Sequence, residues 1–223
     1  MIKNLKNIVV ISPHPDDETL GVGGTIKKFS SLGVDVSVLI ISGHLPPLYR
    51  LDAFQKTQNE ALNAFEILGV KHNEFLKIPA TYVHQEERSS LYKKINDFVS
   101  HFSPELVLIP FPDRHIDHRI IFDGSVVACR PVKNNFPKFV LMYETLSETH
   151  WNVAGAEHTF NPDFFVDISH QINDKIDAVS CYESQIKNNL SRSSDAVKAL
   201  AKFRGSQNGC NFAEAFKTVR IVI

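Results

Sequence analysis

Apolar and polar positions along this chain alternate between two periods. "NIVVIS" (7–12) is a short, β-branched apolar run, too brief for a helix and suited to a strand covered on both faces. "DETLGVGGTIKKFSSLG" (17–33) changes to helical spacing and ends at Gly33, a natural helix stop. The same switch recurs. Strands are expected over 34–42, 73–79, 105–111 and 138–145, with helices over 51–69, 89–102 and 119–130 between them. The helix at 51–69 is strongly amphipathic, with Ala53, Ala61, Ala64, Phe65 and Leu68 on one face. Apolar strands separated by helices specify an α/β fold with a doubly wound, mostly parallel sheet.

After residue 150 the alternation loosens. A strand at 164–169, helices at 172–186 and 193–205, and the apolar end "TVRIVI" read as a C-terminal α/β cap on the same domain. One domain over 1–223 is expected.

Composition changes this picture little. Of 223 residues, 43% are hydrophobic and 22% charged, with a formal net charge of -1. Such a balance gives no electrostatic pull toward nucleic acid or an anionic membrane. The three cysteines are far apart and odd in number, which fits a reducing compartment better than a disulfide framework. The first apolar run is shorter than the ~7–15 residues of a secretory signal core. No stretch approaches the ~18 apolar residues of a membrane span. A cytoplasmic protein is expected, with a small-molecule partner, no nucleic acid and no membrane insertion. Homo-oligomerisation is left open.

The chemistry is concentrated in two places. "PHPDDE" (13–18) follows the first strand and "PFPDRHIDHR" (110–119) follows the fourth. In a sheet of order 3-2-1-4-5 the strand order reverses between these two strands, and ligands sit beyond their carboxyl ends. The two densest His/Asp clusters should therefore meet. Each has a bland reading: acids favour a helix N-terminus, and histidines decorate loops. Their coincidence at the reversal favours function.

A metal suits this set. His14 and Asp17, three residues apart at a turn entering a helix, can face the same way. One histidine of the second cluster, His115 or His118, would complete a His₂-carboxylate site. Three protein ligands leave a position for water, the catalytic pattern of zinc; ferrous iron is the alternative. Asp16, pointing elsewhere, could accept the proton of that water. The histidine that does not bind metal could stabilise an oxyanion, oriented and held charged by Asp117.

"HPDDE" (14–18) with "DRHIDH" (113–118) resembles the LmbE-like, or PIG-L, family of zinc-dependent de-N-acetylases. The resemblance extends through "EALNAFEILGV" (60–70), "MYET" (142–145), "SQ" (184–185) and "AEAF" (213–216). It implies a Rossmann-like fold and removal of acetyl from an N-acetylglucosamine-type conjugate. It implies His14, Asp17 and His118 as metal ligands and Asp16 as general base. It makes His115 the stabiliser of the tetrahedral intermediate, with Asp117 as its partner.

The sequence departs from the family pattern in two places. Ile116 stands where proline is frequent. Thr57, beside Lys56, stands where many members have an arginine near the sugar. Arg50 could reach the sugar instead or be a solvated charge at a helix start, and Asp113, Tyr143 and Glu144 could line the pocket. His44 and His84 read as loop residues; Trp151, in the long loop 146–163, could cover a sugar face but reads more readily as a core anchor.

Three other readings compete. The first is a metal- or sugar-nucleotide-binding module without catalysis, which would have no need of Asp16. The second is a hydrolase of a different N-acyl group. The third is a dinucleotide site at "GVGG" (21–24), disfavoured because the strand–helix turn is filled by carboxylates that would repel a pyrophosphate. These glycines are expected to permit close helix packing instead.

Overall fold

The computed structural model describes residues 5–132, 134–187 and 189–223. The strands are β1 (Asn7–Ser12), β2 (Asp35–Gly43), β3 (His72–Pro79), β4 (Leu106–Pro110), β5 (Phe139–Tyr143), β6 (Phe164–Asp167) and β7 (Ala213–Ile221). The helices are α1 (Asp17–Ser31), α2 (Leu51–Leu68), α3 (Arg88–Phe102), α4 (Ile116–Ala128), α5 (Ile172–Ser180), α6 (Glu183–Ile186) and α7 (Ser194–Ser206).

One seven-stranded sheet runs β3-β2-β1-β4-β5-β7-β6. Its first five strands are parallel and carry the expected order. The C-terminal part is more than a cap. β7 pairs antiparallel with both β5 and β6, so the last strands extend the same sheet. The expected helix at 172–186 is two helices, α5 and α6.

Burial on both faces explains the apolar runs of β1, β2 and β4. Ile8 and Val10 pack on one side with residues of α1, α2, α5 and α7. Val9 and Ile11 pack on the other with residues of α3 and α4. In α2 the apolar face includes Phe54, while Ala53 is only half-buried. Gly69, just beyond α2, adopts φ 74, which permits the left-handed stop of the helix.

The glycines of α1 pack rather than bind phosphate. A Cβ at Gly24 would lie 2.7 Å from the Ile168 side chain, and one at Gly21 would collide with Tyr143. Among the described residues, no helix is long and apolar enough to cross a membrane.

Candidate active site

The reversal of strand order lies between β1 and β4, and the two charged loops leave the sheet there. The first loop turns sharply. The Leu20 amide donates to the Asp16 carbonyl at 2.8 Å, opening α1, while Asp16 itself takes φ 123. A non-glycine residue in that region is unfavourable and marks a site held by its surroundings. The turn separates the two neighbouring aspartates. Asp17 Oδ2 lies 3.0 Å from His14 Nδ1 and 3.2 Å from His118 Nε2. Asp16 Oδ2 instead accepts from Arg192 at 2.7 Å.

Each of the two histidines is backed by a second carboxylate. His14 Nε2 lies 3.0 Å from Asp117 Oδ2, and His118 Nδ1 lies 3.0 Å from Asp113 Oδ2. These partners fix the rings so that His14 Nδ1 and His118 Nε2 are free to ligate. His118 Nε2 is buried and takes no hydrogen bond among the described residues, despite its closeness to Asp17. A lone pair converging on a carboxylate and a second imidazole suits a shared cation. With zinc bonds of 2.0–2.1 Å, tetrahedral ligand atoms are about 3.3 Å apart, close to the separations here. The ring nitrogens of His14, His115 and His118 also lie within 4.8 Å of one another, a histidine triad able to hold a metal ion.

The electrostatics agree. Burial disfavours charge on His14, but Asp117 and Asp17 outweigh it and raise its pKa to about 9. His118 is likewise raised well above its ordinary value, with Asp17 and Asp113 overcoming burial. Burial opposes charge on Asp17, yet His118 and His14 hold it well below the usual carboxylate range. A field that retains protons on two buried imidazoles also favours a cation, and the two compete for the same nitrogens. Burial pushes Asp16 up to about 7, although Arg192 opposes the shift.

His115 differs from the sequence expectation. Asp117 does not reach its ring: the carboxylate is taken by His14 and by the Thr81 amide at 2.7 Å. Instead, His115 caps α4, its Nδ1 accepting from the Asp117 amide at 3.2 Å. Burial, with His14 and His118, pushes its pKa down to about 4, a direction that favours the neutral ring. The network assigns its hydrogen to Nε2.

Three of the residues expected near substrate have partners of their own. Tyr143 is fully buried and donates to the Ile11 carbonyl at 2.8 Å. Asp113 is buried behind His118, where it also accepts from Thr149 Oγ1 at 2.9 Å. Arg50 is 88% exposed and pairs with Asp52, its neighbour in solvent. Thr57 is buried within α2, bonded to backbone carbonyls of its own helix. Trp151 is 51% exposed rather than anchored. His84 stays at the surface, whereas His44 lies near the site, its pKa pushed to about 4 by burial and by the charges of His14 and Arg192.

Two important groups escaped the sequence reading. Arg192 carries no motif around it. Glu18 is fully buried and accepts from Tyr182, Thr19 and Ser12, bracing the first loop from beneath. The neighbouring "DD" hid it as a generic acidic helix start.

Fold and site together define a Rossmann-like α/β protein with a histidine–carboxylate cluster at the strand-order reversal. The model of the PIG-L family, GlcNAc-PI de-N-acetylase, matches residues 9–129, and the chain belongs to that family. It is 30% identical to diacetylchitobiose deacetylase of Thermococcus kodakarensis, over 97% of this chain and 84% of that one. N,N'-diacetylchitobiose deacetylase from Pyrococcus horikoshii has a similar structure, with TM-score 0.79, 23% identity, and coverage of 98% and 85%. So does the 4-carboxy-2-hydroxymuconate hydratase GalB from Pseudomonas putida, with TM-score 0.77, 20% identity and 98% coverage of both chains. Deacetylases and a hydratase thus share this fold, so the reaction must be argued from the site.

Proposed function

We propose that this chain is a metal-dependent deacetylase that removes the N-acetyl group from an N-acetylglucosamine-type conjugate. The observation that carries the reading is Asp17 Oδ2 set between His14 Nδ1 and His118 Nε2, while the adjacent Asp16 is excluded from that set. A binding module needs the first feature but not the second. Deacetylation is favoured over hydration by the relative from Thermococcus kodakarensis, a diacetylchitobiose deacetylase that aligns along nearly the whole chain.

His14, Asp17 and His118 would hold the ion, and two nitrogens with one carboxylate suit zinc, with ferrous iron the alternative. Zinc, when bound, supplies Lewis acidity that makes water nucleophilic near neutral pH and polarises an amide carbonyl. Asp117 and Asp113 keep the two rings in the ligating tautomer. Asp16 takes a proton from the attacking water and returns one to the amine nitrogen as the C–N bond breaks. Acetate and a free amino sugar result. His115, neutral, donates from Nε2 to the carbonyl oxygen as negative charge develops there.

The test is a screen of N-acetylglucosamine conjugates, including N,N'-diacetylchitobiose, for released amine. Activity should vanish with chelator and return with zinc. Asp16→Asn should retain metal but lose at least about 10²-fold in kcat, the scale of general-base catalysis. His118→Ala should lose metal and activity together. Amine release unaffected by chelation would overturn the metal role. Full activity in Asp16→Asn would remove the base.

A further inference from the structure

We infer that Arg192 is a positioning residue for Asp16, supplied by the C-terminal part of the chain. The inference rests on Asp16 acting as the base proposed above. Arg192 Nη1 donates to Asp16 Oδ2 at 2.7 Å across 176 residues of sequence. That is the only side-chain hydrogen bond of Asp16 among the described residues, and it leaves Oδ1 for the water.

The guanidinium does not simply follow Asp16. Its Nε donates to Ser147 Oγ at 2.6 Å, and Nη2 lies 3.4 Å from Glu148 Oε1. Both anchors belong to the segment that leaves β5. At the other end, the next residue, Ser193, caps α7, its Oγ accepting from the Ala196 amide at 3.2 Å. Arg192 is thus fixed at its backbone by a helix cap and at its head by two further groups. Asp16, in contrast, sits on an unfavourable backbone conformation with φ 123, and its carboxylate has one side-chain contact. The rigid partner sets the orientation of the other. The planar fork binds one carboxylate oxygen and aims the second, which a lysine point charge does less well.

Misplacing a reacting group by about 1 Å costs on the order of 10²-fold in rate. Arg192→Ala should therefore lower kcat by about 10- to 100-fold with little change in KM or metal content. Arg192→Lys should recover part of the loss. A purely structural role would not predict the next result: in an Asp16→Asn background, removing Arg192 should cost less than about 3-fold, because both changes act through one carboxylate. An equal loss in both backgrounds, or an effect confined to KM, would overturn the inference.

Crystal structures of the wild type and of Arg192→Lys and Arg192→Ala give a readout that needs no turnover. The Asp16 carboxylate should rotate when the guanidinium is removed. An unchanged orientation in both variants overturns the inference, whether or not the chain proves to be a deacetylase.

Discussion

His14 and His118 each hold one ring nitrogen toward Asp17 and the other against a second carboxylate. Asp113 and Asp117 act at one remove, by fixing tautomer and ring angle. Loss of such a partner typically lowers metal affinity by about 10- to 100-fold. Asp113→Ala and Asp117→Ala should each weaken zinc binding by that factor, read by titration against a competing chelator, while the ligand set stays intact. Affinity equal to wild type in both would mean that the rings are held by packing alone. The sequence drew attention to the two loops whose histidines and aspartates the fold brings together, because those residue types at that density have few other uses. It did not give the partners of Asp113, Asp117 and Tyr143, because a residue's neighbours across the sheet are not encoded in its local spacing.

At the scale of an element, α1 is the informative case. Its sequence reads as one continuous helix, yet the backbone kinks at Val22, φ −135. In a regular helix the Gly24 amide would bond the Leu20 carbonyl. Here Glu214 of β7 accepts from the Gly24 amide at 2.8 Å and the Thr25 amide at 2.7 Å, while Lys175 of α5 donates to the Leu20 carbonyl at 2.7 Å. A buried ion pair is thus inserted into the broken helical ladder, a known cause of kinking. Breaking such a pair from one side costs about 3–5 kcal/mol, because the other charge is stranded. Glu214→Ala should lose that much in urea unfolding, and Lys175→Met added to it should restore part. If the double variant is no more stable than Glu214→Ala, the loss comes from the uncapped amides rather than from the stranded lysine.

At the scale of the molecule, the C-terminal third is tied into the sheet. Ile168, Ile172, Tyr182, Ala201 and Phe216 share one core cluster with Val10, Leu108 and Leu141 of the parallel strands. Glu144, just past β5, is clamped by Arg204 of α7 at 2.7 and 2.8 Å and by His150 at 3.1 Å. Burial opposes charge on Glu144, but His150 and Arg204 overcome it and hold its pKa below the ordinary glutamate value. A depressed carboxylate contributes stability above its unfolded pKa of about 4.3, and that contribution disappears as pH falls through the folded value. The chain should unfold in one cooperative transition. Glu144→Gln should be less stable than wild type near neutrality, with the gap closing in acid below about pH 4. A gap that is constant with pH would show that the clamp acts through shape rather than charge.

The pattern of apolar runs by itself determined the alternation of strand and helix and so the parallel part of the sheet; the order 3-2-1-4-5 came with the fold class, not from the pattern. Strands β1, β2 and β4 are covered on both faces, so burial writes itself into consecutive residues, whereas β3 is largely exposed. The pattern did not determine that β7 enters between β5 and β6, because the pairing of a strand with partners far away in sequence leaves no local period. Nor did it reveal Arg192, Glu18 or Glu214, or the kink in α1. Each of these is a polar group whose meaning lies in a partner brought close by folding. "DD" at 16–17 shows two carboxylates in sequence; only the tertiary turn at φ 123 sends one toward two histidines and the other toward an arginine. Coulomb interactions and hydrogen bonds depend on distances in space, and the chain supplies those distances only once it is folded.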